Sequence, residues 1–259
     1  MKNAFLGLVF SIAIVQSLVA AECTKLRITG HPEYPPVGWR QGDRIAGAGV
    51  AAVSKIASDL GLTVEPVYTG SWADAQMAAR KGLVDVIFGI YFNKQRATYL
   101  DYARPAFMID PVVVMVRKGE GFRFNTREDL VGKKGVTNEG ESYGSDFDHF
   151  MHERLTVARA KGTGATFQEL IEGKADYMIV GLYPGRAEAR RLGIQDKVEA
   201  LPQSLISADM FIAFSKKSSC HKYLKAFGAK VADMVKGHSV QTMLLDATSE
   251  WEKSLAKSR

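Results

Sequence analysis

One arginine, Arg96, follows the end of an apolar strand in a way that could bind an anion. The stretch from Asp85 to Phe107 starts as an apolar segment, breaks at Gly89 and then presents a polar turn that ends at Arg96. A strand that ends at glycine and leads into the start of a helix leaves backbone N–H groups unpaired, and these groups attract anions. The guanidinium could add a two-pronged grip on a carboxylate. The same pattern also fits an ordinary strand, loop and helix with a surface arginine.

Three aromatic side chains could stack against a ligand. The loop from His31 to Trp39 carries three prolines, which stiffen the backbone that presents Tyr34 and Trp39. Trp72 follows Ser71, which is the predicted N-cap of the next helix. Flat aromatic faces on rigid loops suit ligand stacking, and they suit simple loop packing equally well.

The sequence does not indicate a nucleotide, metal or nucleic-acid site. It has no GxxxxGK[ST] phosphate loop, and the GxG at Gly47 to Gly49 lacks a third glycine and a downstream acidic partner for a ribose. His149 and His152 lie three positions apart in a predicted helix without a third metal ligand, so an exposed helix face is the better interpretation. Basic residues are dispersed among 28 acidic ones rather than gathered in a stripe. We therefore expect no cofactor, no metal and no nucleic-acid partner.

Residues 1–21 have the pattern of a cleavable signal peptide. Lys2 precedes an apolar run from Phe5 to Val19, and Ala20 and Ala21 provide small residues at the expected cleavage site. The run is too short for a durable membrane span. The leader holds one lysine and no acid, so its removal lowers the formal net charge from +6 to +5. We expect a soluble mature chain that is exported to the periplasm.

Export to an oxidising compartment favours a disulfide between Cys23 and Cys220. Such a bond would place both ends of the mature chain in one lobe. The alternative is two free thiols, one of them on a frayed chain end.

The order of elements predicts two α/β lobes, each a mostly parallel sheet flanked by helices. Apolar strands over residues 112–116 and 210–214 are predicted to cross between the lobes, and Pro105 is predicted to stop the segment before the first crossing. Lobe 1 would comprise residues 22–114 and 210–259, and lobe 2 residues 115–209. Apolar strands that end at Gly89 and Gly181 would then face a cleft, where ligands bind and hinge closure is expected.

Several stretches, taken in order, resemble the family 3 extracellular solute-binding proteins, the periplasmic receptors of polar amino-acid ABC importers. The resemblance covers essentially the whole mature chain. It implies a two-lobe periplasmic-binding-protein type II fold, a small carboxylate or amino-acid ligand, an ABC permease of the inner membrane as partner, a monomeric state and no catalysis. The stretches that carry it are LRITGHPEYPPVGW, VDVIFGIYFNKQR with LDYARPAF, VVVMVRKG, TREDLVGKKGVTNEG, GKADYMIVG and MFIAFSKKS.

The resemblance also implies ligand contacts. Tyr34 and Trp72 would sandwich the ligand, and Arg96 would pair with its α-carboxylate. Trp39, from the same proline-rich loop, and Gly181, at the second strand end, complete the candidate set. Further contacts would come from the strand end in lobe 1 and from a glycine-bearing loop in lobe 2, through Gly89, Ile90, Tyr91, Gly140, Glu141 and Ser142.

At one position the chain departs from the family. Members often hold the ligand ammonium with an aspartate where this chain has Gly181, and no acid replaces it nearby in the sequence. An ammonium left unpaired in a closed cleft would lose a charge-assisted bond, at a cost of about 2 kcal/mol. Either Glu141 or Asp209 supplies the missing charge, with Glu141 favoured for the cleft and Asp209 for solvent, or the ligand lacks an α-amine.

Two other functions are also compatible with the sequence. Some relatives on the same scaffold are exported dehydratases of cyclic carboxylates such as prephenate or arogenate, and Glu141 could then serve as a general acid. However, no lysine or histidine falls beside Glu141 in its sequence motif to complete an acid/base set. The second alternative is a receptor that presents its ligand to a membrane sensor, which no feature of the sequence separates from transport.

Overall fold

The computed structural model describes residues 23–257, so the predicted signal peptide lies outside the described residues. This part of the chain forms an eight-stranded sheet with flanking helices and a small three-stranded sheet. Within residues 23–257, no helix combines the length and the apolar character that crossing a membrane requires.

The strands are short except for two that contain 18 residues each. In chain order they are β1 (Lys25–Gly30), β2 (Glu33–Tyr34), β3 (Gly38–Gln41), β4 (Arg44–Ala46), β5 (Thr63–Pro66), β6 (Val86–Tyr91), β7 (Leu100–Arg117), β8 (Lys134–Asn138), β9 (Thr156–Ala160), β10 (Tyr177–Gly181) and β11 (Val198–Ser215).

The large sheet has a parallel group of strands at each end and two antiparallel strands in the middle. Its order is β5-β1-β6-β11-β7-β10-β8-β9, with β5, β1 and β6 parallel at one end and β10, β8 and β9 parallel at the other. The central strands β11 and β7 pair antiparallel along their length. The arrangement gives two α/β lobes joined by paired strands, and β2, β3 and β4 form the separate small sheet.

The two joining strands are longer than the sequence predicted. The predicted stop at Pro105 is wrong, as are the short crossing strands over 112–116 and 210–214, because β7 and β11 run through all of these positions. The pairing of β7 with β11 steps from Ala103 to Met108 at an irregularity in the register. Pro105 lies in that step, where its missing N–H breaks no regular pair.

Seven α-helices lie between and after the strands in the described part of the chain. Ser71 caps α2 as predicted: its hydroxyl accepts from the Asp74 N–H while the Asp74 carboxylate accepts from the Ser71 N–H. The helices are α1 (Ala48–Asp59), α2 (Trp72–Lys81), α3 (Ser145–Arg154), α4 (Thr163–Ile171), α5 (Leu182–Arg191), α6 (Leu224–Lys236) and α7 (Ser239–Lys257).

A disulfide joins Cys23 to Cys220, which confirms the predicted pairing. The two residues are separated by 197 positions. Cys23 precedes β1, and Cys220 lies in a short 3₁₀ helix (Ser219–Tyr223) after β11. The bond therefore attaches the start of the described chain to the segment that follows the last strand.

Candidate ligand-binding site

Arg96 is buried where the two lobes meet, and its side chain is only 3 % exposed. Its Nε donates to Gln76 Oε1 at 2.9 Å, while Nη1 and Nη2 donate to the carbonyls of Tyr91 and Gly140, each at 3.1 Å. A guanidinium has five N–H groups, so two are left for another acceptor. No carboxylate in the described part of the chain pairs with it. Because a buried cation without an anion is costly, this group is suited to a carboxylate from outside the chain.

The neighbours of Arg96 fix its position and connect the lobes. The backbone N–H of Arg96 donates to Asn93 Oδ1 at 2.6 Å, and Asn93 Nδ2 donates to Ser142 Oγ at 2.6 Å. Gln76 on α2 adds a bond from its Nε2 to the Gly140 carbonyl at 3.0 Å. Several side chains of lobe 1 thus form hydrogen bonds with the loop between β8 and α3 of lobe 2.

Trp72, the first residue of α2, contacts both a cation and an imidazole. The Arg96 guanidinium lies 5.5 Å from its ring centre, within range of a cation–π interaction. The His31 ring stacks on it at 5.0 Å and lies 5.2 Å from the Tyr34 ring. His31 therefore contacts both of the rings that the family resemblance assigns to sandwiching the ligand. A ligand between those rings would require His31 to move.

His31 also pairs with Glu141 across the cleft. His31 Nδ1 accepts a hydrogen bond from the Glu33 N–H at 3.0 Å, so the ring proton of the neutral form lies on Nε2. Nε2 is 3.1 Å from Glu141 Oε1, and both side chains are buried. The sequence motif around Glu141 contains no histidine, but the fold brings His31, in the loop after β1, against the loop after β8. The two groups form a close contact between loops of the two lobes.

A second polar cluster joins Tyr34, Tyr91 and Asp110. The two tyrosine hydroxyls lie 2.5 Å apart, and they lie 2.5 Å and 3.0 Å from Asp110 Oδ2. Burial, and next Asp110, raise the pKa of each tyrosine well above its ordinary range, so both hydroxyls stay protonated. The cluster can therefore donate hydrogen bonds to the carboxylate from β2 and from the end of β6.

Asp110 lies in β7 and is fully buried. Burial raises the pKa of its carboxyl to about 6, against the hydrogen bonds from Tyr34 and Tyr91 and the nearby Tyr183 N–H, which lower it, and Glu141 raises it further. Tyr183 acts by proximity, since no donor among the described residues makes a well-formed hydrogen bond to Oδ1. Asp110 is the buried acid that the sequence analysis did not find.

The packing around Gly181 leaves no room for an acidic side chain at that position. A Cβ built on Gly181 would overlap the Tyr34 hydroxyl and Asp110 Oδ2. The acid that family members often carry at this point therefore cannot fit beside the tyrosine. The carboxylate of Asp110, from the joining strand, fills that space instead. Asp209, the other acid considered from the sequence, is exposed.

Residues 140–144 also have the G-x-S-x-G spacing of a nucleophile elbow, between a strand and a helix. Ser142 Oγ accepts from Asn93 Nδ2 and donates to an Asp148 carboxylate oxygen. No histidine in the described part of the chain bonds to it. Ser142 therefore lacks the base that a serine nucleophile needs, and its bonds fix the loop.

A cavity of about 370 Å³ opens beside Arg96 between α2 and the loop after β8. Most of the residues that line it have polar side chains, and they come from both lobes. The lining residues are Ala73, Gln76, Met77, Arg80, Asn93, Gln95, Arg96, Tyr99, Gly140, Glu141, Ser142 and Arg159.

The structure brings some of the candidate residues together and leaves others apart. The predicted strand end at Gly89 is wrong, because β6 continues to Tyr91, and Gly89, with φ of 68°, and the fully buried Ile90 lie in the interior of this strand. Trp39 is buried against Trp251 of α7, away from the cleft residues. Four of the candidates meet around the cavity or its wall, namely Arg96, Gly140, Glu141 and Ser142.

The comparisons with known proteins agree with this architecture. The sequence profile of the bacterial extracellular solute-binding proteins, family 3, matches residues 26–244. This chain belongs to that family. A search of curated proteins finds no match.

Several solved structures superpose on this family member. A mutant of the arginine-binding protein ArgBP from T. maritima superposes with a TM-score of 0.71 at 21 % identity, over 87 % of this chain and 96 % of that one. AbpA, an amino-acid ABC transporter substrate-binding protein from Streptococcus pneumoniae bound to L-arginine, gives 0.73 at 15 % identity, over 88 % and 96 %. A histidine kinase sensor domain with similarity to periplasmic binding proteins gives 0.71 at 22 % identity, over 88 % and 95 %. These similarities establish the two-lobe fold.

Proposed function

We propose that this protein captures a small carboxylate ligand, an amino acid or a related compound, by closure of its two lobes around Arg96. The observation that carries the proposal is the buried guanidinium of Arg96, which keeps two N–H groups free and pairs with no carboxylate in residues 23–257. A ligand carboxylate would supply both the missing charge and the missing acceptors. The bidentate geometry of such a pair gives orientation as well as affinity.

The same residues also link ligand binding to closure of the two lobes. Arg96 and Gln76 bond to Gly140 on the opposite lobe, so the binding site is complete only when the lobes are together. A ligand that bridges the lobes shifts the population towards this closed form. The protein then works by binding alone and needs no covalent chemistry.

We expect the closed, ligand-bound monomer in the periplasm to deliver its ligand to an ABC permease of the inner membrane. Family membership supports this role. Presentation of the ligand to a membrane sensor would use the same site. Adjacent genes for a permease and an ATPase favour import, and an adjacent sensor-kinase gene favours sensing.

Thermal denaturation with a panel of amino acids and small carboxylates tests the proposal. A ligand present at 100 times its Kd adds about 2.7 kcal/mol to the free energy of unfolding. For a chain of this size, we expect a rise in Tm of roughly 5–10 °C. Isothermal titration then gives the Kd of each compound that raises Tm. The proposal fails if no carboxylate in the panel raises Tm while compounds without a carboxylate do.

The buried pair of His31 and Glu141 favours a second candidate function, an exported dehydratase of a cyclic carboxylate. Here Arg96 would hold the side-chain carboxylate of the substrate, and the pair would give a proton to the ring hydroxyl, which leaves as water while the ring carboxylate leaves as CO₂. Incubation with prephenate, followed by the absorbance of phenylpyruvate, tests this function. Product formation that Glu141→Gln abolishes would favour the enzyme, and no product would leave ligand capture as the function.

A further inference from the structure

The cavity beside Arg96 holds three arginines, which is more positive charge than one carboxylate needs. Arg80 comes from the last turn of α2, Arg96 from the 3₁₀ helix after β6, and Arg159 from β9. None of the three forms an ion pair with an acid of residues 23–257. Three positively charged side chains line one small cavity, and their combined field attracts an anion.

Their contacts hold these arginines at the cavity. Arg96 Nη2 and Arg159 Nη1 donate to successive carbonyls of one loop, those of Gly140 and Glu141, at 3.1 Å and 3.0 Å. The Arg80 guanidinium lies over the Tyr99 ring at 4.7 Å from its centre. All of these contacts are to neutral groups, so the positive charges stay uncompensated.

One acid, Glu141, is also part of the cavity wall. Its Oε1 pairs with His31 Nε2, which directs that oxygen to a neighbour outside the lining. Three guanidiniums therefore face a single carboxylate that already has a partner. The remaining polar side chains are neutral and can bond to oxygen atoms, namely Gln76, Asn93, Gln95, Tyr99 and Ser142.

We infer that the cavity selects a ligand with two anionic groups, a dicarboxylate or an acidic amino acid, with one carboxylate on Arg96 and the second between Arg80 and Arg159. This inference rests on the proposed function, because it takes the Arg96 clamp as given. A cavity of about 370 Å³ is near the lower limit for ligand sites, which fits a compact molecule. His31 contacts both Tyr34 and Trp72, so a ligand placed between those two rings would have to displace it, which favours the cavity beside Arg96.

Arg80 and Arg159 are exposed, and exposed arginines often have no ligand to bind. Two matched pairs of ligands test whether these two arginines bind the second anionic group. Glutarate and butyrate differ mainly in a second carboxylate, and L-glutamate and L-glutamine differ in a side-chain carboxylate against an amide. Isothermal titration of the full mature protein with all four compounds measures the preference for the dianionic member of each pair.

We expect the dianionic member of at least one pair to bind at least about tenfold tighter, which is about 1.4 kcal/mol. Arg80→Gln and Arg159→Gln should each reduce that preference at least threefold. Arg44→Gln removes an equal charge from an exposed position on β4 and should leave the preference unchanged. A Tm within a few degrees of the wild-type value confirms that each variant is folded.

Equal affinity for both members of each pair would overturn the inference, as would a preference that Arg80→Gln and Arg159→Gln leave intact. Either result leaves the proposed function standing if binding still depends on Arg96. No binding of glutarate or L-glutamate at millimolar concentration would also overturn the inference. Thermal denaturation with the wider panel of amino acids and small carboxylates would then test the proposed function separately.

Discussion

Arg96 Nη2 lies 3.1 Å from the carbonyl oxygen of Gly140, so the side chain that offers a carboxylate clamp also bonds to the opposite lobe. Ligand capture and lobe closure therefore share one residue. This relationship predicts that changes in the closed contacts alter ligand affinity even where the changed residue touches no ligand.

Glu33 provides the first prediction of this kind. Its Oε2 accepts a hydrogen bond from the Thr163 N–H at 2.6 Å, at the start of α4 in the other lobe. A carboxylate at a helix N-terminus stabilises it by about 0.3–1 kcal/mol. Glu33→Gln should therefore weaken ligand binding by roughly two- to fivefold, through loss of closed-state stability.

Isothermal titration with the panel compound that raises Tm most measures this change. Glu65→Gln, which alters a solvent-exposed acid paired with Lys25, is the matched control and should leave Kd unchanged. Equal or tighter binding by the Glu33→Gln variant would show that this contact does not stabilise the closed form.

Gly181 gives a prediction about packing. Its φ is −62°, which any residue adopts, so the cost of a side chain there is steric. Gly181→Ala should destabilise the protein by about 1–3 kcal/mol, because the new methyl group overlaps the Tyr34 hydroxyl and Asp110.

Tyr34→Phe removes one of the overlapping atoms. The free energy of unfolding in urea should therefore fall less for Gly181→Ala combined with Tyr34→Phe than for the sum of the two single changes. Strictly additive effects would mean that Gly181 is not required by the cluster.

Asp110 makes the stability depend on pH in a defined direction. Its pKa in the folded protein is raised from 3.8 to about 6, so between these values the folded state holds a proton that the unfolded chain has released. The contribution of this group to the free energy of unfolding is therefore greatest below pH 4 and is lost as pH rises to above 6.

The variant Asp110→Asn lacks this titration. Relative to the wild type, its free energy of unfolding should increase between pH 3.5 and 7.5, on the order of 3 kcal/mol for a shift of two pKa units. Urea unfolding at a series of pH values measures the difference, with the exposed Asp209→Asn as a control. A difference that stays flat, or that shrinks as pH rises, would contradict a buried carboxylate with a raised pKa.

The disulfide should stabilise the mature protein. Because Cys23 and Cys220 are 197 positions apart, their bond restricts most of the unfolded chain. The pair Cys23→Ser with Cys220→Ser should lower the free energy of unfolding by about 2–4 kcal/mol. Differential scanning calorimetry should show the same loss for the wild type in reductant. An unchanged Tm in both experiments would show that the bond does not form or does not matter.

Local patterns in the sequence predicted the elements and one half of the candidate site. The capping role of Ser71 and the strand end at Gly181 depend on neighbouring residues and were predicted correctly, whereas the strand predicted to end at Gly89 runs on to Tyr91. The lengths of β7 and β11 were not predictable in this way, because prolines interrupt both strands and only pairing keeps them extended.

The rest of the site depends on contacts between distant segments. Asp110 looks like an ordinary strand residue before a proline, and its burial beside Tyr34 and Tyr91 arises only when β2, β6 and β7 meet. The pair of His31 and Glu141 likewise joins loops of two lobes. Trp39 resembles Trp72 in the sequence, yet it packs against a helix from the far end of the chain.

The central claim is that Arg96 binds a ligand carboxylate. The contributions of the positive charge and of the forked guanidinium can be tested separately. Isothermal titration of wild type, Arg96→Lys and Arg96→Gln with the carboxylate that raises Tm most is the direct measurement. Loss of a buried charge-assisted pair costs about 2–5 kcal/mol, so Arg96→Gln should weaken binding at least thirtyfold. Arg96→Lys, which keeps the charge without the fork, should fall in between. Unchanged affinity in Arg96→Gln, with its fold intact by Tm, would contradict the account.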